Sequence, residues 1–465
     1  MADYLTRFAA DLARLDGVVY GMEREGVPID LGVCAEIEGR ALADAAETRR
    51  RLDAYAGERC GRPESEANWN YAKWLIGLLH SPRPHGLGLA PSPYFAKGRC
   101  KPGEVTTDAR ALEYLASVNP DHRAFLNDVR AYRRQQRMAG YARTWIDLAV
   151  RHEDGTHRLH PSFGMGDDAD DRPGAKTGRF GIKNPPLQQV PRDKRKDPYR
   201  LRRAFVAPPG KLLVVADYSQ LEVVILAHLC VVLGFGSGLA DRLAPGAPDL
   251  HSATARYVFG EVLGQPGILS IPVEDVKASK EWGPFRDQIK AVRYGLNYGK
   301  GDYGFGNTLF EVDAKGEICG PPLGEERARK LTDALFAFDP EIPAFQAWMK
   351  EYAYTHRAAP SLRGRWAPLP GIRGDRWERG RAERQAMNWP MQAGGQEITA
   401  AAMLRIAARG LVQTLQVHDE IHVLADEDRA EAVAAEVKDA MEGAFPLRAY
   451  LKAEPKAGRN WEECK

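Results

Sequence analysis

Two aspartates stand where strands would present them. Asp217 follows the apolar run Leu212–Ala216 in KLLVVADYSQ, and Asp419 falls between two short apolar strands in QVHDEIHVL, at a hairpin tip with His418 and Glu420. Carboxylates delivered by neighbouring strands of one sheet can hold two divalent ions about 3.5–4 Å apart, the arrangement that serves phosphoryl transfer. Taken singly, each also fits an ordinary turn acid. A second pattern lies in FRDQIKAVRYGLNYGK, where Arg286, Lys290, Tyr294 and Tyr298 recur every four residues and so share one helical face. Two cations beside two aromatics suit a nucleoside triphosphate, its phosphates on the cations and its base on a ring. The same spacing fits an amphipathic surface helix whose long side chains lie along it.

The elements that must position these residues are legible from periodicity and stop signals. Residues 1–58 read as two helices broken at GMEREGVPIDLG; a further helix is expected around NYAKWLIGLL, another from Asp108 to a stop at Asn119 and Pro120, and a long one over about 121–148. The 151–210 stretch turns polar, basic and rich in Pro and Gly before the strand that ends at Asp217. LEVVILAHLCVVL continues as a helix, and helices dominate 249–350, with a hairpin around GNTLFEVDAKGEICG. A helix at about 383–408, two strands flanking Asp419, a helix over 427–442 and a strand near 447–454 complete the reading. Helical regions attached to a small sheet, without sustained β-α-β alternation, argue against a doubly wound fold and for α+β.

Composition sets the frame. A length of 465 residues corresponds to about three domains, and 44% hydrophobic with 28% charged residues describes a soluble globular chain. No apolar run is long enough for a membrane span, and the first residues lack a basic-then-apolar secretory signal, so a cytoplasmic location is expected. Six cysteines, at 34, 60, 100, 230, 319 and 464, show no metal-ligand or disulfide spacing. The net charge is only +2, but from Asp171 to Phe205 eleven basic residues face three acids, and eight arginines crowd Arg357 to Arg384. Such clusters fit a polyanion partner.

The ordered motifs resemble family A DNA polymerases, the bacterial DNA polymerase I group. DYSQLEVVILAHL at 217–229 is similar to their first palm motif, RDQIKAVRYGLNYG at 286–299 to the fingers-helix motif, and QVHDE at 416–420 to the third motif. TGRFGIKNPPLQQVP, DLHSATARYVFG, GRWAPLP, ERQAMNWPMQ, the terminal GRNW and the early MEREGVPID match flanking segments in the same order. The resemblance implies a right-hand fold of thumb, palm with a small antiparallel sheet, and helical fingers. It places N-terminal helices at 1–58, the thumb at 59–150, palm at 151–234 and 383–465, and fingers at 235–382 with the motif helix at about 284–300.

It also implies roles. Asp217 and Asp419 would hold two Mg²⁺ ions, which Mn²⁺ can replace, with Glu420 an auxiliary acid. Arg286, Lys290 and His251 would clamp the triphosphate, Lys290 also serving the chemistry; Tyr294 would pack on sugar and base and Gln220 would line the dNTP site. Tyr298 would sit where the template base enters. Glu222 would close the pocket below the sugar, within hydrogen-bonding reach of Tyr294, and so reject a 2′-hydroxyl. Arg179, Arg384, Asn388, Gln392, Gln416 and His418 would track the primer-template minor groove, whose acceptors occur in every base pair.

The resemblance thus implies a monomeric enzyme that acts on primer-template DNA and dNTPs, with accessory replication proteins left open. Three departures stand out. Val224 occupies a position where the family carries Arg, the 35 positions from His251 to Arg286 exceed the family's spacing so that GQPGILSIPVEDVKASKEWG reads as an insertion, and no separate acidic set for a proofreading exonuclease is found. A catalytically inactive DNA-binding scaffold and a metal-dependent nuclease are the alternatives from other classes.

Overall fold

The computed structural model describes residues 2–61, 67–91, 105–164, 177–192, 197–312 and 318–464, with side chains from residue 14 onward. Cys100, part of the basic 171–205 stretch and the tip of the 310–322 hairpin lie outside these residues. Helices Ala2–Glu25 and Leu31–Cys60 are separated by Gly26, whose φ of +73° and approach to Leu159 O, 2.9 Å from where a Cβ would stand, admit only glycine. Asp30 caps the second helix by accepting from the backbone of Gly32 and Val33. Leu31–Cys60 packs lengthwise on Arg123–Leu148. With Ala72–His80 and Ala109–Val118 it forms an arm with its own core, which includes Leu52, Trp69, Leu75, Leu112, Phe125 and Val129. Phe125, Val129 and Tyr132 face inward together, as their spacing predicts.

The main core surrounds a four-stranded antiparallel sheet, in the order Val412–Val417, Glu420–Asp426, Lys211–Tyr218, Ala453–Gly458. Opposite residues in register include Asp217 with Glu420 and Asp217 with Glu454. Helix Ala430–Glu442 packs on this sheet, and helix Leu221–Val232, apolar on nearly every side, is buried accordingly. Val224, where the family carries Arg, is 1% exposed within it. The final strand lies at Ala453–Gly458, later than the expected 447–454. It is an edge strand, which tolerates Pro455 in its middle. The last long helix, Arg376–Ala407, starts before the expected 383 because Asp375 and Glu378 form a capping box ahead of an arginine-rich turn with no apolar period.

A helical lobe fills the interval between. Helix Leu250–Ala255 runs into a wider turn over Arg256–Val262, and helices Gly283–Asn297, Gly324–Phe338 and Glu341–His356 follow. The 264–283 segment, which the sequence reading takes as an insertion, is folded onto the lobe, with Ile268 and Val276 fully buried and Arg256 donating to Leu269 O at 3.2 Å. The expected hairpin pairs Phe310–Val312 with Ile318–Pro322 and touches the arm, where Arg110 donates to Thr308 O at 3.1 Å and Tyr114 meets Phe310. Within the lobe, Arg293 and Asp339 are wholly buried. Their ion pair at 2.5 Å is completed by Thr254 on Arg293 and by Arg242 on Asp339. Removing one partner leaves a buried charge uncompensated, so Asp339→Ala should cost about 3–5 kcal/mol and lower the thermal unfolding midpoint measured by calorimetry. Among the described residues, no helix is long and apolar enough to cross a membrane.

Candidate active site

The sheet and its hairpin bring the two aspartates to one place. Asp217 is the penultimate residue of its strand, and the Tyr218 amide meets Asp419 O at 3.4 Å. His418 adopts φ +57° to make the turn, which the buried Gln416 amide supports by donating to His418 O. Burial pushes the Asp419 carboxyl up to about 6, against the pull of Arg179 at 3.8 Å, with Glu222 and Asp217 adding like charge. Asp217 pairs with Arg192 at 2.8 Å. Glu420 is turned against the sheet, accepting from the Trp461 indole at 2.6 Å and bonded to His422 at 2.7 Å. Burial lowers His422 to about 3, so that ring is neutral. Among the described residues no group of three or more His, Cys, Asp or Glu side chains is placed to hold a metal ion.

Opposite the acids stands helix Gly283–Asn297, with Pro284 in its first turn and Tyr298 at its C-terminal cap. Arg286 is buried and grips Asp249 through two bonds of 2.8 and 2.9 Å. Despite its burial, that pair holds the Asp249 carboxyl well below the usual range, and Asp249 also caps helix Leu250–Ala255. Desolvation and the Arg286 charge lower Lys290. His251 is 1% exposed, tilts against Tyr294 at 6.1 Å, and neither ring nitrogen has a partner; burial lowers it to about 3, leaving it neutral. Gln220, in a left-handed turn at the start of its helix, and Asn388 likewise carry buried, unpartnered side-chain oxygens. Gln220 and His251 line a cleft of about 1160 Å³ together with Asp217, Asp419, Arg286 and Lys290. Buried polar atoms left unpaired beside such a cleft mark a ligand site.

Glu222 joins the two sides, and here the structure corrects the sequence reading. Its partner is Tyr298, whose hydroxyl donates to Oε2, and not Tyr294. Tyr294 lies one turn earlier and faces His251, whereas Tyr298 follows the last helical turn and swings back toward helix Leu221–Val232. Oε1 of Glu222 accepts from Arg179 at 2.9 Å and Gln392 at 2.6 Å, and Gln392 also reaches the Tyr298 hydroxyl at 3.0 Å. Burial and the Glu222 charge raise the Tyr298 pKa, so it remains a donor. Gly299 permits this closure: a Cβ there would stand 2.1 Å from Met387 and 3.2 Å from Arg384. Sequence reasoning did not single out Arg192, Asp249 or the support of Glu420 by Trp461 and His422. Asp249 opens the DLH motif and Trp461 closes GRNW, so the signals were present without a spatial partner.

The sequence profile of DNA polymerase family A matches residues 86–463. DNA polymerase I of Chloroflexus aurantiacus is 29% identical over 96% of this chain and 42% of its own length. The thermostable DNA polymerase I of Thermus aquaticus is 29% identical, with 97% and 48% covered, and DNA polymerase I of Pseudomonas aeruginosa is 33% identical, with 96% and 43% covered. The chain therefore spans less than half the length of these relatives. Among solved structures, the POL domain of Pol1 from M. smegmatis in complex with DNA primer-template and dNTP superposes with a TM-score of 0.78 at 26% identity, over 97% of this chain and 70% of that one. Arm, antiparallel sheet and helical lobe make up the right-hand polymerase fold, and the chain belongs to DNA polymerase family A.

Proposed function

We propose that this chain is a DNA-directed DNA polymerase that extends a primer 3′-hydroxyl with dNTPs. The observation that supports this most is the meeting of Asp217 and Asp419 in the same cleft as Arg286, Lys290 and His251. Asp217 and Asp419 would hold two Mg²⁺ ions, for which Mn²⁺ can substitute. Their oxygen donors suit hard cations, and burial of Asp419 beside the like charges of Glu222 and Asp217, which together raise its carboxyl, favours a positive ion there. When bound, the ions supply Lewis acidity toward the primer hydroxyl and the triphosphate. Arg192 must release Asp217 for this.

The chain's own residues do the rest. Arg286, Lys290 and His251 bind the triphosphate, with Gln220 beside them. Tyr294 packs on the sugar and base, and Tyr298 lies at the templating position. Glu222 closes the space below C2′, while Glu420 anchors the strand that begins directly after Asp419. Arg179, Arg384, Asn388, Gln392, Gln416 and His418 face the primer-template. On this reading the thumb spans 59–150, the palm 151–234 with 383–465, and the fingers 235–382.

Incubation with labelled primer-template, dNTPs and Mg²⁺ tests the reading: dNTP-dependent lengthening supports it, whereas shortening would indicate a nuclease and no change an inactive scaffold. Arg286→Ala and Lys290→Ala should each raise the apparent KM for all four dNTPs and slow incorporation without altering base preference. Arg286→Ala should have the wider effect, because it also frees Asp249. Single-turnover incorporation assays on all four template bases check both, and a defect confined to one base would contradict the assignment.

A further inference from the structure

Trp377 is 84% exposed, the most exposed of the large apolar side chains among the described residues. It sits in the first turn of helix Arg376–Ala407, and the Asp375 carboxylate fixes that turn by accepting from the Trp377 and Glu378 amides at 2.7 and 2.9 Å. An indole left in water forgoes the burial that its area would gain. Around it Arg376, Arg379, Arg381 and Arg384 are exposed, and their guanidinium groups have no ion-pair partner among the described residues.

Positions 377, 381, 384 and 388 recur at intervals of four, three and four, so Trp377, Arg381, Arg384 and Asn388 line one face of the helix. The same stripe continues to Gln392, which touches both Glu222 and Tyr298. From Gln392 to Trp377 the helix rises about 22 Å at 1.5 Å per residue. A polar and cationic track thus leads from the proposed templating position to an open aromatic ring.

We propose that Trp377 is a stacking platform for the unpaired template strand ahead of the primer terminus, with Arg381 and Arg384 holding the intervening phosphates. The proposal rests on the polymerase reading for the direction of the strand. An exposed indole beside unpaired arginines matches the two chemistries of single-strand binding, a base face on a ring and phosphates on cations. Duplex DNA fits less well, since its paired bases already have both faces covered. The track accommodates about six stacked nucleotides at roughly 3.4 Å each, and fewer if the strand is extended.

The test is equilibrium binding, by fluorescence anisotropy, of primer-templates carrying either a single-nucleotide or a long template overhang. Trp377→Ala should weaken binding of the long-overhang substrate about 5- to 150-fold, the range for losing one base–aromatic stack, and Trp377→Tyr should recover most of it. The short-overhang substrate should bind both variants and the wild type alike. Abasic residues throughout the long overhang, which keep the phosphates but remove the bases, should abolish the difference between wild type and Trp377→Ala. Equal loss on both overhangs would place the ring on duplex DNA, and no loss on either would leave it without a nucleic-acid role; each overturns the proposal. Extension of the short-overhang primer by the wild type is scored separately, so failure of the polymerase reading is distinguishable from failure of the platform.

Discussion

Asp217→Asn and Asp419→Asn should each reduce primer extension by about a thousandfold or more, while primer-template affinity stays within a few-fold of wild type. Several kcal/mol of transition-state stabilisation depends on ions that these carboxylates would hold, and each 1.36 kcal/mol is a factor of ten in rate. Duplex affinity comes mainly from phosphate contacts made elsewhere. Asparagine keeps the shape of either side chain, so the loss is chemical and not structural. In the presence of EDTA, Asp419→Asn should unfold at no lower temperature than wild type at neutral pH. The folded state raises the pKa of Asp419 to about 6, so ionising it above that pH opposes folding, and a neutral amide removes that cost. Single-turnover extension, anisotropy with labelled DNA and calorimetry measure the three quantities. Wild-type turnover by either variant would end the two-carboxylate assignment.

The sugar offers the second large effect. Among the described residues the Tyr294 hydroxyl makes no hydrogen bond, while Glu222 is held by Tyr298, Arg179 and Gln392. The resemblance implies that a tyrosine at position 294 would admit dideoxynucleotides, its hydroxyl replacing the hydrogen bond that the missing 3′-hydroxyl would supply. Tyr294→Phe should therefore restore discrimination against ddNTPs by about 1–3 kcal/mol, the scale of one unsatisfied buried polar group. Glu222→Ala should relax rejection of ribonucleotides and also reduce dNTP efficiency, because it leaves three donors without their acceptor. Tyr298→Phe, which frees only one carboxylate oxygen, should act in the same direction more weakly. The readout is kcat/KM for ddTTP, dTTP and UTP opposite template A. If wild type excludes ddTTP as strongly as Tyr294→Phe does, the hydroxyl has another role.

Local signals explain what was legible beforehand. The apolar run before Asp217, the apolar pair around the HDE tip and the four-residue spacing of Arg286, Lys290 and Tyr294 are properties of short windows, and the elements they imply are present. The helix start at Asp108 was likewise local. What escaped depends on distant partners. The resemblance implied Tyr294 as the companion of Glu222, yet the bond is made by Tyr298, which has left the helix. Asp249 gains its meaning only from Arg286, and Glu420 from Trp461, across intervals that no local window spans. The strand at Ala453–Gly458 was misplaced because the preceding LRAYLKA alternates well, and a proline in a strand reads as a break unless that strand is known to lie at an edge.

The register of the palm sheet bears on how the protein is made. Among the described residues, Lys211–Tyr218 pairs with Glu420–Asp426 and Ala453–Gly458, segments more than 190 residues later in the chain, whereas the arm's separate core is assembled from residues 45–132. Contacts of such wide separation carry a loop-closure cost and form late. During translation the arm can therefore mature while Asp217 waits on a strand with empty edges, and Asp419 joins it only after most of the chain has been synthesised. The Trp461 indole, which holds Glu420 in place, arrives later still. A ribosome stalled between the completion of the arm and that point displays a folded arm but an unassembled sheet.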